Sequence, residues 1–142
     1  MAEEEDCAVG PHIDVSSIEI TPAEECAFED GLGLVMYFST DTYLAGYFWR
    51  VSYVVDTSKR RKIIDAGSTE PADYAPGSHA MAFSAPSMDI DSVPEDVRRQ
   101  TNGLLVAALT GPNGEEAMAV NMVVQIREDE GILKRFIFNP ME

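Results

Sequence analysis

Two cysteines, two histidines and one tryptophan are all that 142 residues provide of the side chains that most often carry chemistry. Cys7 lies in an acidic stretch and Cys26 in a loop-like one, with no CxxC spacing, so neither a disulfide framework nor a zinc site is expected. A hydrolytic triad or a general acid–base pair needs a histidine or paired carboxylates on a rigid frame. His12 follows Pro11 at a domain edge, and His79 alternates with Met81 and Phe83, so each reads as a surface or sheet-lining residue. No enzymatic activity, cofactor or metal is therefore expected. The stretch "DGLG" around Gly31 and Gly33 lacks the third glycine and the following helix of a phosphate-binding turn. The acids of "MDIDSVPED" lack the loop glycine and terminal glutamate of an EF-hand, and helix capping accounts for Asp91 without an ion.

Basic residues are also scarce. There are 10 lysines and arginines against 25 acids, a formal charge of -15. Glu3, Glu4, Glu5 and Asp6 supply only four of those acids, so the folded body is acidic as well. Such a surface repels phosphate backbones and attracts basic proteins, which makes nucleic acid a poor ligand and a basic protein a fair one. The competing reading is that the charge serves solubility alone. No apolar run approaches the ~20 residues of a membrane-spanning helix, and the N-terminus has neither the basic start nor the apolar core of a signal peptide. The expectation is a soluble intracellular protein, monomeric when free.

The length suits one domain, since a chain of about 150 residues buries roughly 68 to 70% of the surface it exposes when unfolded. Residues 1–11 read as a disordered acidic tail, dense in charge and without a recurring apolar pattern. Residues 12–142 then form the domain. Eight segments have strand character: "HIDVSSIEI", "LGLVMYFS", "GYFWRVSYVVD", "KIIDAG", "SHAMAFSA", "GLLVAALT", "EAMAVNMVVQI" and "LKRFIFN". In the third, Trp49, Val51, Tyr53 and Val55 share one face at period two, which puts Trp49 in the core.

Turn residues punctuate these segments. Asn113 and Gly114 sit between two apolar runs as a hairpin signal, both tolerant of positive φ. Pro71, Pro76, Gly77 and Gly131 break the chain elsewhere. One short helix is predicted over "DSVPEDVRR", capped by Asp91 or Ser92 with Pro94 in its first turn. "SKRRK", Ser58 to Lys62, reads equally as a nuclear-import signal or as a solvated hairpin loop. Many short strands with almost no helical periodicity predict an all-β, immunoglobulin-like antiparallel β-sandwich, with a barrel as the alternative. The cysteine pair that flanks the core tryptophan of antibody domains is absent.

The order "FWRVSYVVD", "IIDAG", "PGSHAMAFSA", "DSVPED", "GLLVAALTGPNGEEAMAVNMVV" and "LKRFIFN" resembles the anti-silencing-function histone chaperones over roughly residues 46–138. The resemblance implies an elongated sandwich without enzymatic activity that recognises protein through its sheet faces and edges, with core histones as the partner and the nucleus as the compartment. It carries partner contact onto Leu105, with Ala107 and Leu109 beside it, and onto Ala119, where the family has an arginine. The acid pair that precedes the tryptophan in the family is replaced by Gly46 and Phe48, so the co-chaperone surface is expected to be missing. The segment before the last strand is shortened to "REDEGI". Core packing is the competing reading of the Leu105 stripe, because an alternating strand buries one face. The competing function is a structural or adaptor subunit of a cytoskeletal or ciliary assembly, bound by strand addition at an open edge.

Overall fold

A computed structural model describes residues 12–56, 61–88 and 100–141 of the chain. Among the described residues there are ten strands and a single 3-10 turn, Phe28–Asp30. In chain order the strands are β1 (Ile13–Thr21), β2 (Cys26–Ala27), β3 (Leu32–Thr40), β4 (Leu44–Asp56), β5 (Arg61–Ser68), β6 (Ala72–Tyr74), β7 (Gly77–Ala85), β8 (Gln100–Thr110), β9 (Glu116–Asp129) and β10 (Ile132–Ile137). The protein is an all-β antiparallel sandwich. The smaller sheet has the order β1-β3-β7, the larger β2-β10-β9-β8-β4-β5, and β6 pairs with the start of β4. The predicted helix at Asp91–Arg99 and the acidic tail at residues 1–11 lie outside the described residues. Of "SKRRK", Arg61 and Lys62 open β5.

All eight segments with strand character are strands, and their alternation sets what is buried. Trp49, Val51, Tyr53 and Val55 point inward with no exposed surface. Through the β4–β8 ladder they face Leu109, Ala107, Leu105 and Gly103 in turn. Met122, Val124 and Ile126 of β9 continue that inner face. Leu34, Met36 and Phe38 of β3, with Met81 and Phe83 of β7, supply the opposing layer. The Trp49 ring meets Phe38 edge-on at 5.3 Å, and Phe38 meets Tyr74 in the same way at 5.2 Å. Such T-shaped pairs add roughly 0.5–1.5 kcal/mol beyond the area they bury.

Gly103 marks the closest approach of β8 to β4. A Cβ built on it would lie 2.5 Å from the Val54 carbonyl and 2.8 Å from Val55 Cγ1, so only glycine fits. The β8–β9 turn departs from the sequence expectation of two positive-φ residues. Gly114 has φ +85°, but Asn113 is not in the left-handed region. The turn closes instead through Gly114 N–H to the Gly111 carbonyl at 3.0 Å and Asn113 N–H to the Glu115 carboxylate at 2.9 Å. The two-residue turn between β9 and β10 has both central residues left-handed, Glu130 at φ 53° and Gly131 at φ 83°. That is the primed geometry whose twist matches a hairpin.

Among the described residues one charge is taken into the interior. Arg135 of β10 has no exposed surface, and its guanidinium donates to the carbonyls of Pro22 at 3.1 Å, Gly31 at 3.3 Å and Thr21 at 3.5 Å. It pins the segment that carries the chain from β1 in the small sheet to β2 in the large one. Phe28 plugs the same end, fully buried, with its ring 5.1 Å from Tyr53.

Candidate functional site

The groups with chemical potential are scattered. His12 is exposed, its Nε2 3.2 Å from the Asp14 carboxylate. His79 sits on the other edge of the small sheet, near the rings of Phe38 and Tyr74, with Nε2 2.6 Å from the Ala75 carbonyl. Among the described residues no three metal-ligating side chains cluster. Burial, opposed by Arg135 and reinforced by Asp30 and Glu25, pushes the Cys26 thiol up, away from the thiolate that nucleophilic chemistry needs. Burial also pushes the Tyr53 phenol up to about 12, although the Arg135 charge beside it pulls the other way. Tyr53 Oη, Arg135 Nε and Trp49 Nε1 are buried without a hydrogen-bond partner. None of the three opens onto a described pocket.

The partner-binding residues expected from the sequence divide between two faces. Leu105, Ala107 and Leu109 have no exposed surface and pack in the core opposite Tyr53, Val51 and Trp49. They present nothing to a partner, which corrects the expectation that they form the contact stripe. The physical reason is parity: a strand's side chains alternate between faces, so a one-residue shift in the assignment exchanges surface for core. Ala119 lies half-buried on β9, directly opposite Ala108, and belongs to the outer face.

That outer face of the larger sheet carries an apolar strip. Ile63 of β5 is 62% exposed and Val123 of β9 is 47% exposed. Between them, Val54 of β4 and Leu104, Val106 and Ala108 of β8 are half-buried, so the apolar strip crosses four adjacent strands. Two depressions interrupt it. One, of about 480 Å³, is lined by Val54, Leu104, Val106 and Val123 with the amides of Asn102 and Asn121. The other, of about 390 Å³, joins Ile63, Val106 and Ala108 to Arg50, Asp65 and Glu116. An apolar centre with charges at its margin is the usual arrangement of a protein-recognition surface. Leu104 and Val106 were missed in the sequence because "GLLVAALT" is apolar at both parities, and Val123 because it adjoins Val124 in "EAMAVNMVVQI". The signal that identifies them is the ladder that aligns Trp49 with Leu109.

Gly46 and Phe48 lie in the first half of β4. Gly46 adopts φ +69° at an irregularity in the β4–β6 pairing, its N–H donating to Asp73 at 2.9 Å. Phe48 is half-buried.

No family model matches the chain, and no curated protein matches it. Among solved structures, the solution structure of a putative late embryogenesis abundant protein aligns at 13% identity over 83% of this chain and 72% of that one, with a TM-score of 0.37. A likeness at that level carries no argument about this chain. Among the described residues no helix is long and apolar enough to cross a membrane.

Proposed function

We propose that this chain is a non-enzymatic, histone-chaperone-like module that binds a basic protein on the outer face of its larger sheet. The observation that carries the reading is the apolar strip from Ile63 to Val123 on a molecule of net charge -15. The strip supplies contact area, and the surrounding negative field draws in a partner of opposite charge. Ala119 lies at the edge of the strip, and core histones are the partner class that the sequence resemblance implies.

The test is capture of purified core histones by the intact chain at rising salt, comparing the wild type with Val106→Arg. Val106 is half-buried on the outer face, so the variant should stay folded and lose histones. Wild-type binding should weaken as salt passes physiological strength, where the Debye length is about 8 Å. Leu105→Arg is the counterpart: it drives a charge into the core beside Tyr53 and unfolds the domain, so its loss of binding is uninformative about the surface. A wild type that never retains histones at moderate salt leaves the adaptor-subunit reading, which the open edge of β1 favours.

A further inference from the structure

The two long sides of the sandwich differ. On one, β5 meets β7, with the Phe83 ring packed over Gly67. On the other, β1 faces the end of β10 and the seam is open. Among the described residues no strand pairs with the outer edge of β1, and β2 covers β10 only at Lys134 and Arg135. A groove of about 540 Å³ occupies this seam. It is lined by the buried side chains of Ile18, Ile20 and Ile137 and by Phe136 and Phe138, whose rings meet edge to face at 4.7 Å. Phe138 is 45% exposed, so the groove has an apolar rim continuous with its buried floor.

The backbone along the groove is turned outward. Asn139 Nδ2 reaches across the seam to donate to the Ile18 carbonyl at 2.6 Å, so that carbonyl points away from β3. In an antiparallel strand a residue's N–H and C=O point to the same side, and every second residue repeats the direction. The ladder with β3 runs without a shift from Ser17 to Thr21, so the amide and carbonyl of Ile20 also face the groove. An apolar pocket thus runs beside the outward-facing Ile18 N–H and the N–H and carbonyl of Ile20, the two requirements of strand addition, and an incoming strand takes the Ile18 carbonyl from Asn139.

We propose that the β1 edge accepts an extended basic segment of another protein as an added strand, its apolar side chains in the groove and its lysines or arginines outside. Charge selects this occupant over the two nearer ones. Glu19 lines the groove, and Asp14 of the same strand and Glu24 just after it in the chain are exposed. The chain's own first 11 residues carry Glu3, Glu4, Glu5 and Asp6 and no lysine or arginine, so they are repelled. A second copy would bring another charge of -15 to the same edge. The site is separate from the outer face, so each can fail without the other.

The experiment uses the full chain and a labelled octapeptide alternating valine and lysine, with binding followed by anisotropy and backbone amide exchange read at Ile18 and Ile20. Binding is expected, with exchange at both amides slowed at least about 10-fold. The same peptide N-methylated on alternate amides, and an octapeptide alternating valine and glutamate, should fail to bind. Glu19→Lys, an exposed change, should weaken binding about 5-fold and leave the thermal midpoint in place. Val123→Arg should leave it unchanged. The proposal is overturned by no binding, by binding that leaves Ile18 and Ile20 unprotected, by equal binding of the N-methylated peptide, or by protection that appears without peptide as protein concentration rises.

Discussion

Truncating Trp49 to alanine tests how the sandwich is held together, and the structure sets the magnitude. The side chain is fully buried between the sheets and touches Phe38 edge-on at 5.3 Å. Removing a large buried aromatic costs about 3 to 5 kcal/mol. The indole Nε1 is buried without a hydrogen-bond partner, so its removal also relieves a desolvated donor worth roughly 1 kcal/mol or more. The net expectation for Trp49→Ala is a loss of about 2 to 4 kcal/mol. Trp49→Phe keeps an aromatic contact with Phe38 and deletes the unpaired donor, so it should lose about 1 to 2 kcal/mol. Urea unfolding of both variants, fitted with a common slope, gives the comparison. A loss under about 1 kcal/mol for the alanine variant would refute the buried placement, and equal losses for the two would refute the contribution of the ring contact with Phe38.

Other expectations follow from single contacts. Gly103→Ala should destabilise by about 1 to 3 kcal/mol in the same assay, because its Cβ has nowhere to go between Val54 and Val55. Arg135→Met should cost on the order of 2 to 4 kcal/mol, since it leaves the inward carbonyls of Thr21, Pro22 and Gly31 without their donor, and a neutral or stabilising result would show that the buried charge is the larger cost. The Tyr53 phenol is pushed up to about 12, so between its ordinary value near 10 and 12 the native state keeps a proton that the unfolded chain has lost. Stability is therefore full below pH 10 and falls as pH rises through that window. Tyr53→Phe should flatten this fall, with little cost at neutral pH because the hydroxyl it deletes has no partner. A fall of the same depth in the variant would assign it to other groups.

Alternation made the long strands legible. Trp49, Val51, Tyr53 and Val55 could be read as core because polar residues separate most of them, and the structure buries all four. The same logic had no purchase on "GLLVAALT", where both parities are apolar. Leu105 and Leu104 are indistinguishable until the ladder with β4 places one opposite Tyr53 and the other opposite Val54. β2 and β6 are two and three residues long, exist only through their pairing with β10 and β4, and leave no periodic trace. "LKRFIFN" is ambiguous as well. Leu133 and Ile137 compete with Phe136 and Phe138 for the core with a basic residue on each parity, and Leu133, Arg135 and Ile137 take the inner one. Three backbone carbonyls that converge only in the folded chain make that arginine tolerable. The groove at the β1 seam was equally hidden, because an open edge is a property of sheet order and not of any one segment.

The central claim is that the exposed strip on the outer face of the larger sheet receives a basic protein. Its most direct test is calorimetric titration of purified core histones into the wild type and into the double variant Ile63→Arg, Val123→Arg, whose two positions are 62% and 47% exposed. The account predicts saturable binding to the wild type, a loss of at least about 10-fold in affinity for the variant, and an unchanged thermal midpoint. Equal affinity of the two proteins, or no heat of binding to the wild type at moderate salt, would contradict it.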